Sequence, residues 1–395
     1  MTANELEPNQ TPSWDSSDDA IRKESEEIDE SEDTTSGTTI KQPFDPSKID
    51  IANPPMNLGD LIDLIQYGWI DFEPDYQREG NLWPAGKQSR LIESALLGLR
   101  LPAFYFEEVS KKKWRIIDGL QRCSALRNFC VDRTMCLSEL EFLDFNGMGY
   151  EDFDFELRRD LRMLPITVNL LKPGVPDPVK YILFKRLNTG GETLTPQEIR
   201  NSMFQGRAID LVKRLASSPD FKLATGNKIP TRRKQHHDFV SRFIAFYLKG
   251  YETYCPDIDR FVNDAMGAIN KGVYSQAQLD DMYDAFAAAM RMSYTIFGQN
   301  AFRKTVFGKR GPINKALFEV VSVTFARLSQ SERIYLTESC SNEIANALTE
   351  LMFYDERFYY ALSTATGRED NVTKRFSEFS KMIAKILGKK DDKDS

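Results

Sequence analysis

No stretch of this 395-residue chain approaches the roughly 18 uncharged apolar residues that a membrane-spanning helix needs, so the sequence predicts a soluble protein. Histidine is nearly absent. The two present, His236 and His237, are adjacent, which leaves a histidine-dependent metal nuclease without its second ligand pair. The five cysteines (Cys123, Cys130, Cys136, Cys255 and Cys340) form no paired pattern, and the start Met1-Thr2-Ala3-Asn4-Glu5 has neither a basic nor an apolar leader segment. A reducing cytoplasm fits that usage. Cys123 and Cys130 lie in an apolar helical stretch without ligand-pair spacing, so they read as core packing rather than as a metal site. No repeat of fixed period is visible either.

What the chain has is an uneven distribution of charge. The first 50 residues hold 14 acidic and 4 basic side chains, a balance of −10 against −7 for the whole, so the remaining 345 residues carry +3. A segment so rich in Ser, Thr and Asp cannot bury enough apolar surface to offset its ordering entropy, and residues 1–50 are expected to be a disordered acidic tail.

At 395 residues and 41% hydrophobic content the rest is long enough for two modest cores. Leu61, Ile62, Leu64 and Ile65 are spaced three and four apart, predicting a short helix. An extended piece follows, ending in Tyr76, Gln77 and Arg78. Over 87–97 the residues Leu91, Ile92, Ala95 and Leu96 make one helical face, with Gly98 as the stop and Arg90 and Glu93 on the other side. Two strands, 102–109 and 114–117, are joined by the basic turn Ser110-Lys111-Lys112-Lys113. The second runs into Asp118-Gly119 and a helix over 120–131 that buries Ala125, Leu126, Phe129 and Cys130. A strand over 165–171 and a helix through Tyr181 and Leu187 lead to Asn188-Thr189-Gly190-Gly191. Thr195-Pro196-Gln197-Glu198 has capping-box spacing with proline at the first helical position, so a helix starts there. Beyond it the periodicity is helical throughout, at 239–248, 277–292, 314–328, 341–352 and 375–387. The fold class is therefore α+β, with a small mixed domain over 51–205, an all-helical region over 206–388 and a charged tail over 389–395.

Strand, Asp-Gly and then a helix beginning Gln121-Arg122 is the arrangement with most chemical potential. Helix starts present unpaired N–H groups that suit phosphate, Gly119 permits close backbone approach, and Arg122 supplies a positive fork. Asp118 would repel bare phosphate, so its uses are to hold Mg2+, to position Arg122 or to orient water. The plainer alternative is a simple N-cap with an i,i+4 ion pair worth only ~0.3–0.5 kcal/mol. The Asn188–Gly191 loop either wraps a phosphate through its amides or is an ordinary helix end. Trp83 reads as a packing anchor before a base-stacking platform. Lys111, Lys112 and Lys113, with Arg232, Arg233 and Lys234, are candidate nucleic-acid contacts or solvated loops.

Taken in order, Pro74-Asp75-Tyr76-Gln77-Arg78, Trp83, Leu91 to Gly98, Pro102, Ile117-Asp118-Gly119-Leu120-Gln121-Arg122 and Phe184-Lys185-Arg186-Leu187-Asn188-Thr189-Gly190-Gly191 resemble the N-terminal domain family of GmrSD restriction endonucleases, itself similar to ParB and sulfiredoxin. The Asn314 to Glu319 helix also looks like one that recurs in longer members. The resemblance implies a mixed α/β fold that binds a nucleoside triphosphate, with Mg2+ where it is hydrolysed, within a prokaryotic or phage-related system against foreign DNA. It makes Asp118 and Arg122 the candidate catalytic pair. Tyr76, Gln77, Arg78, Gly119, Gln121 and Asn188 become the nucleotide-binding set. Leu120 stands where the family signature Asp-Gly-Gln-Gln-Arg has glutamine, which separates binding from hydrolysis. The histidine-Asn-histidine nuclease of full-length relatives is not supplied by this sequence, so cleavage of DNA would fall to a separate nuclease or other defence subunit. The competing readings are a non-enzymatic DNA- or partner-binding module, for which a homo-oligomer is compatible, and direct cleavage through Asp118 and Glu93, a thin set of carboxylates for two metals.

If the acidic tail screens a basic surface, deleting residues 1–45 strengthens DNA binding at low salt; unchanged affinity in a titration with labelled duplex rules out the screening role.

Overall fold

The computed structural model describes residues 50–72, 83–187, 194–306 and 309–391. Tyr76, Gln77, Arg78 and the Asn188–Gly191 loop lie outside the described residues, as does all but the last residue of the acidic tail. The chain forms two compact units that divide between Met203 and Phe204.

The first unit opens with β1 (Ile51–Ala52), β2 (Met56–Asn57) and α1 (Leu58–Gln66), whose start is fixed by reciprocal bonds between Asn57 and Asp60. Next come β3 (Ile70–Asp71) and α2 (Ala85–Leu96), then β4 (Phe104–Ser110) and β5 (Lys113–Asp118). Helix α3 (Leu120–Leu126) continues as a π-turn over Arg127–Val131. A loop and α4 (Phe155–Met163) lead to β6 (Pro165–Ile166), β7 (Val168–Leu171), α5 (Asp177–Leu187) and α6 (Pro196–Met203). The five-stranded sheet has order β1-β7-β4-β5-β3, with β4 antiparallel to β5 and parallel to β7. Residues alternate across it as the two-residue period of a strand requires. Phe104, Phe106 and Ile116 enter the larger core with Ile92, Leu126 and Phe129, whereas Ile117 enters a second cluster with Tyr181, Phe184 and Ile199. Each fully buried phenylalanine there contributes about 1.5–3 kcal/mol.

One expectation for α2 needs correction. Arg90 is exposed, but Glu93 on the supposed outer side is only 3% exposed, because the loop after Leu137 folds over it. Its carboxylate accepts the backbone N–H groups of Glu141, Phe142 and Leu143 at 2.7–3.1 Å. Burial pushes the Glu93 carboxyl up, yet those three donors and Arg90 outweigh it and hold it below the usual glutamate value. That stabilisation is complete above the ordinary glutamate pKa and fades as pH falls through the depressed one.

The second unit carries α7 (Arg207–Ala216), α8 (Pro219–Ala224), α9 (Gln235–Lys249), α10 (Ile258–Asn270) and α11 (Gln276–Phe297). After β8 (Arg303–Val306) and β9 (Lys309–Ile313) come α12 (Lys315–Arg327), α13 (Gln330–Ser339), α14 (Ser341–Tyr354), α15 (Glu356–Ser363) and α16 (Glu369–Asp391). The region is mostly helical rather than all-helical, since β8 and β9 pair as an antiparallel hairpin. Gly298, Gly311 and Pro312 interrupt helix there, while Thr305 and Ile313 favour strand. A Cβ on Gly311 would lie 2.8 Å from the Lys304 carbonyl, so the strands approach closely only because that residue is glycine. Helix α16 runs to Asp391, past the 387 at which the helical periodicity ends.

At the centre of this unit a chain of buried charges joins three helices. Glu319 on α12, 1% exposed, accepts from Arg242 on α9 at 3.1 Å and from Arg375 on α16 at 2.5 Å. Asp238 bonds Arg242 at 3.2 Å and pairs with Lys315 at 3.3 Å, and Arg375 also donates to the Thr366 carbonyl. Breaking a buried pair on one side strands the other charge. Glu319→Ala is therefore expected to cost about 3–5 kcal/mol in urea unfolding; a loss under about 1 kcal/mol would show the arginines to be satisfied without it.

Candidate functional site

Strand β5 ends at Asp118, and the chain reverses into α3 through Gly119, whose φ of +106° lies in the left-handed region. Only glycine fits for a second reason: a Cβ there would sit 2.8 Å from the ring of Phe104. Gly119 is the residue that caps the helix, with no side-chain cap, so Asp118 is not the simple N-cap that the sequence left open. It holds Arg122 instead.

Arg122 is 8% exposed and its terminal nitrogens face protein oxygens. Nη2 donates to Asp118 Oδ2 at 2.6 Å, and Nη1 donates to the carbonyls of Pro102 and, at 3.2 Å, Ala103. The guanidinium carbon lies 4.6 Å from the centroid of the Phe104 ring. A guanidinium so engaged is a clamp between the start of β4, the end of β5 and the first turn of α3, rather than an open fork for phosphate. Asp118 keeps its second oxygen outside that bond, with 28% of its side chain exposed.

Gln121 is also employed, since its Oε1 accepts the Trp83 backbone N–H at 2.9 Å. Gln88 donates to the Trp83 carbonyl at 2.6 Å and accepts from Asn128 at 3.0 Å. These amides tie the start of α2 to α3. The Trp83 ring is partly buried against the core with Lys87 Nζ 4.6 Å away, the packing anchor anticipated. Cys123 and Cys130 lie in the same core, and burial pushes both thiols up to about 12, which leaves neither a nucleophile at neutral pH.

Sequence reasoning placed the start of α6 but missed the buried polar network on it. Its capping box is formed, with Glu198 accepting the Thr195 N–H at 2.7 Å and Thr195 Oγ1 accepting the Glu198 N–H at 3.2 Å. Ile199 shares a cluster with Ile117, and Arg115 donates to the Met203 carbonyl at 3.5 Å. The helix thus packs in the same small cluster as the end of β5. Behind the box, Gln197, Arg200 and Asn201 are buried and bonded to one another at 3.0 Å. The available signal was three polar residues three and four apart on an otherwise half-apolar helix.

The lysines of the β4–β5 turn do not join this site. Lys111 and Lys112 are exposed in the β4–β5 turn, and Lys113 pairs with Asp71 at 3.3 Å. They stand at the opposite end of β5 from Asp118, roughly 17 Å away along a six-residue strand. In the second unit, Arg232, Arg233 and Lys234 form a tight turn before α9, with Arg233 and Lys234 at φ of 55° and 58°. The rings of His236 and His237 are 4.2 Å apart. A groove of about 960 Å³ in the same unit includes Arg327 and Arg333, but both donate to helix-end carbonyls. Among the described residues no three His, Cys, Asp or Glu side chains are placed to hold a metal, and Glu93 is committed to its loop.

Residues 58–205 match the family model of the GmrSD restriction endonuclease, N-terminal domain. No curated protein matches the chain. No helix among the described residues is long and apolar enough to cross a membrane.

Gly119→Ala should destabilise the protein by about 1–3 kcal/mol, because it adds left-handed strain to a contact with Phe104. A thermal midpoint within 1 °C of wild type would show that the turn relaxes freely.

Proposed function

We propose, for a chain that carries a GmrSD-type N-terminal domain over residues 58–205, that it is a component of a DNA restriction or defence system which binds a nucleoside triphosphate at the Asp118–Gly119 turn. The observation that carries this reading is the left-handed glycine turn at Gly119, which leads from Asp118 directly into a helix start without a side-chain cap. Helix starts and glycine turns suit phosphate oxygens. Arg122 acts in this scheme as a positioning residue, holding the turn and Asp118 in place, while its charge still offsets that of the carboxylate. Asp118 offers its second oxygen to the Mg2+ that accompanies the triphosphate, and the metal would supply charge neutralisation at the phosphates. Gln121 fixes the neighbouring Trp83 backbone, and Tyr76, Gln77, Arg78 and Asn188 remain proposed contributors from outside the described residues. Hydrolysis is a separate matter, because Leu120 stands in place of the usual glutamine. Exposed Lys111 and Lys112, and the basic turn at Arg232, support DNA or a partner subunit as a further ligand.

Asp118→Asn separates these roles, since the amide oxygen still accepts from Arg122 but no longer attracts a cation. Nucleotide affinity measured calorimetrically should fall about tenfold or more in Mg2+ and stay unchanged in EDTA. Equal affinities for wild type and variant in both buffers would exclude the metal-binding role, and no nucleotide binding at all would leave a ParB-like module that acts through DNA or a partner alone.

A further inference from the structure

Among the described residues of the second unit, seven large hydrophobic side chains are exposed, and four of them fall within one eight-residue stretch: Phe353, Tyr354, Tyr359 and Tyr360. They occupy the end of α14 and the start of α15. Tyr354 is 78% exposed, and its ring meets Phe353 edge-on at 4.7 Å. Scattered exposed hydrophobes need no explanation, whereas a concentrated aromatic patch on a surface marks an interaction site.

Its neighbour is the hairpin that the sequence did not foretell. From 285 to 318 the chain contains Arg291, Arg303, Lys304, Lys309, Arg310 and Lys315 and not one Asp or Glu, although the chain as a whole is net acidic. Lys304 on β8 reaches across to α15, with Nζ 5.5 Å from the Tyr359 ring centroid and donating to Ser363 Oγ at 3.1 Å. Arg310 is exposed on β9, with one nitrogen on the Gln299 carbonyl. Arg357 lies 5.5 Å from the Tyr360 ring. Two of the acids in this region are already matched, Asp355 by Lys374 at 2.8 Å and Asp370 by Arg357 at 2.6 Å and Arg368 at 3.1 Å. Glu350, one turn before Tyr354, and Glu356 are exposed acids near the rings.

Cations interleaved with open aromatic faces suit a polyanion whose bases are free to stack, and duplex DNA keeps its bases stacked on each other. We propose that the elbow between α14 and α15, together with the β8–β9 hairpin, binds single-stranded nucleic acid, with bases on Tyr354 and Tyr360 and the phosphate backbone along Lys304 and Arg310. This surface lies outside the matched domain and involves neither the Asp118 turn nor the lysines of the β4–β5 turn. A displaced or unpaired strand is its ligand class.

The test is fluorescence anisotropy on the full chain with a labelled oligonucleotide of about 20 nucleotides, single-stranded and as duplex, across a salt series. Tyr354→Ala with Tyr360→Ala should weaken single-strand binding by about tenfold or more with the thermal midpoint unchanged, because both rings are exposed. Arg310→Gln should lower the slope of log affinity against log salt by roughly 0.7. Single-strand affinity unaltered by the double substitution overturns the proposal. So does an absence of oligonucleotide binding; if the same substitutions then dissolve a self-associated species in sedimentation, the patch belongs to a second copy of the chain.

Discussion

The first unit depends on one buried guanidinium. Arg122 bonds Asp118 at the end of β5 and the carbonyls of Pro102 and Ala103 ahead of β4, and it lies over Phe104. Two sheet strands and a helix meet at that point, and a carbonyl pair that the strand ladder leaves unmatched is satisfied by charge-assisted bonds. Phe104 serves twice, as the ring beneath the guanidinium and as the wall that forbids a side chain at residue 119. The left-handed turn, the exposure of Asp118 and the direction of α3 all follow from this contact.

That arrangement gives the motif a division of labour. The residue with the strongest positive charge is consumed in holding the backbone, so what remains for a ligand is the backbone itself and one carboxylate oxygen. Preorganised amides are well suited to phosphate because they cost no reorganisation when it arrives. The basic turn at Lys111 and Lys112 is held away from them by the length of β5.

The helical unit uses buried charge differently. Glu319 pairs with two arginines from helices distant in sequence, and Asp238 extends the chain to Lys315. Such a network is weak as a source of stability compared with apolar packing, but it penalises any packing that leaves one member alone. The phenylalanines around it, including Phe239, Phe243 and Phe318, supply the burial.

Much of this was legible in the sequence because it depends on neighbours along the chain. The α+β class, the β4–β5 hairpin, the helix that follows Asp118, the Gly98 stop and the Thr195 capping box are set by periodicities of two and 3.6 and by the residues that break them. Glycine at 119 was also readable as a tight turn. Other features belong to tertiary structure alone. That Asp118 positions Arg122 rather than capping α3 is decided by Phe104 and the carbonyls ahead of β4. Glu93 becomes an internal anchor because the loop at 141–143 folds over it, whereas the β8–β9 hairpin is local and was hidden by the helical periodicity on either side. The sequence determined which elements form and where charge accumulates; only folding decided which charges are spent inside and which stay open, because burial and partner distance are properties of the packed chain.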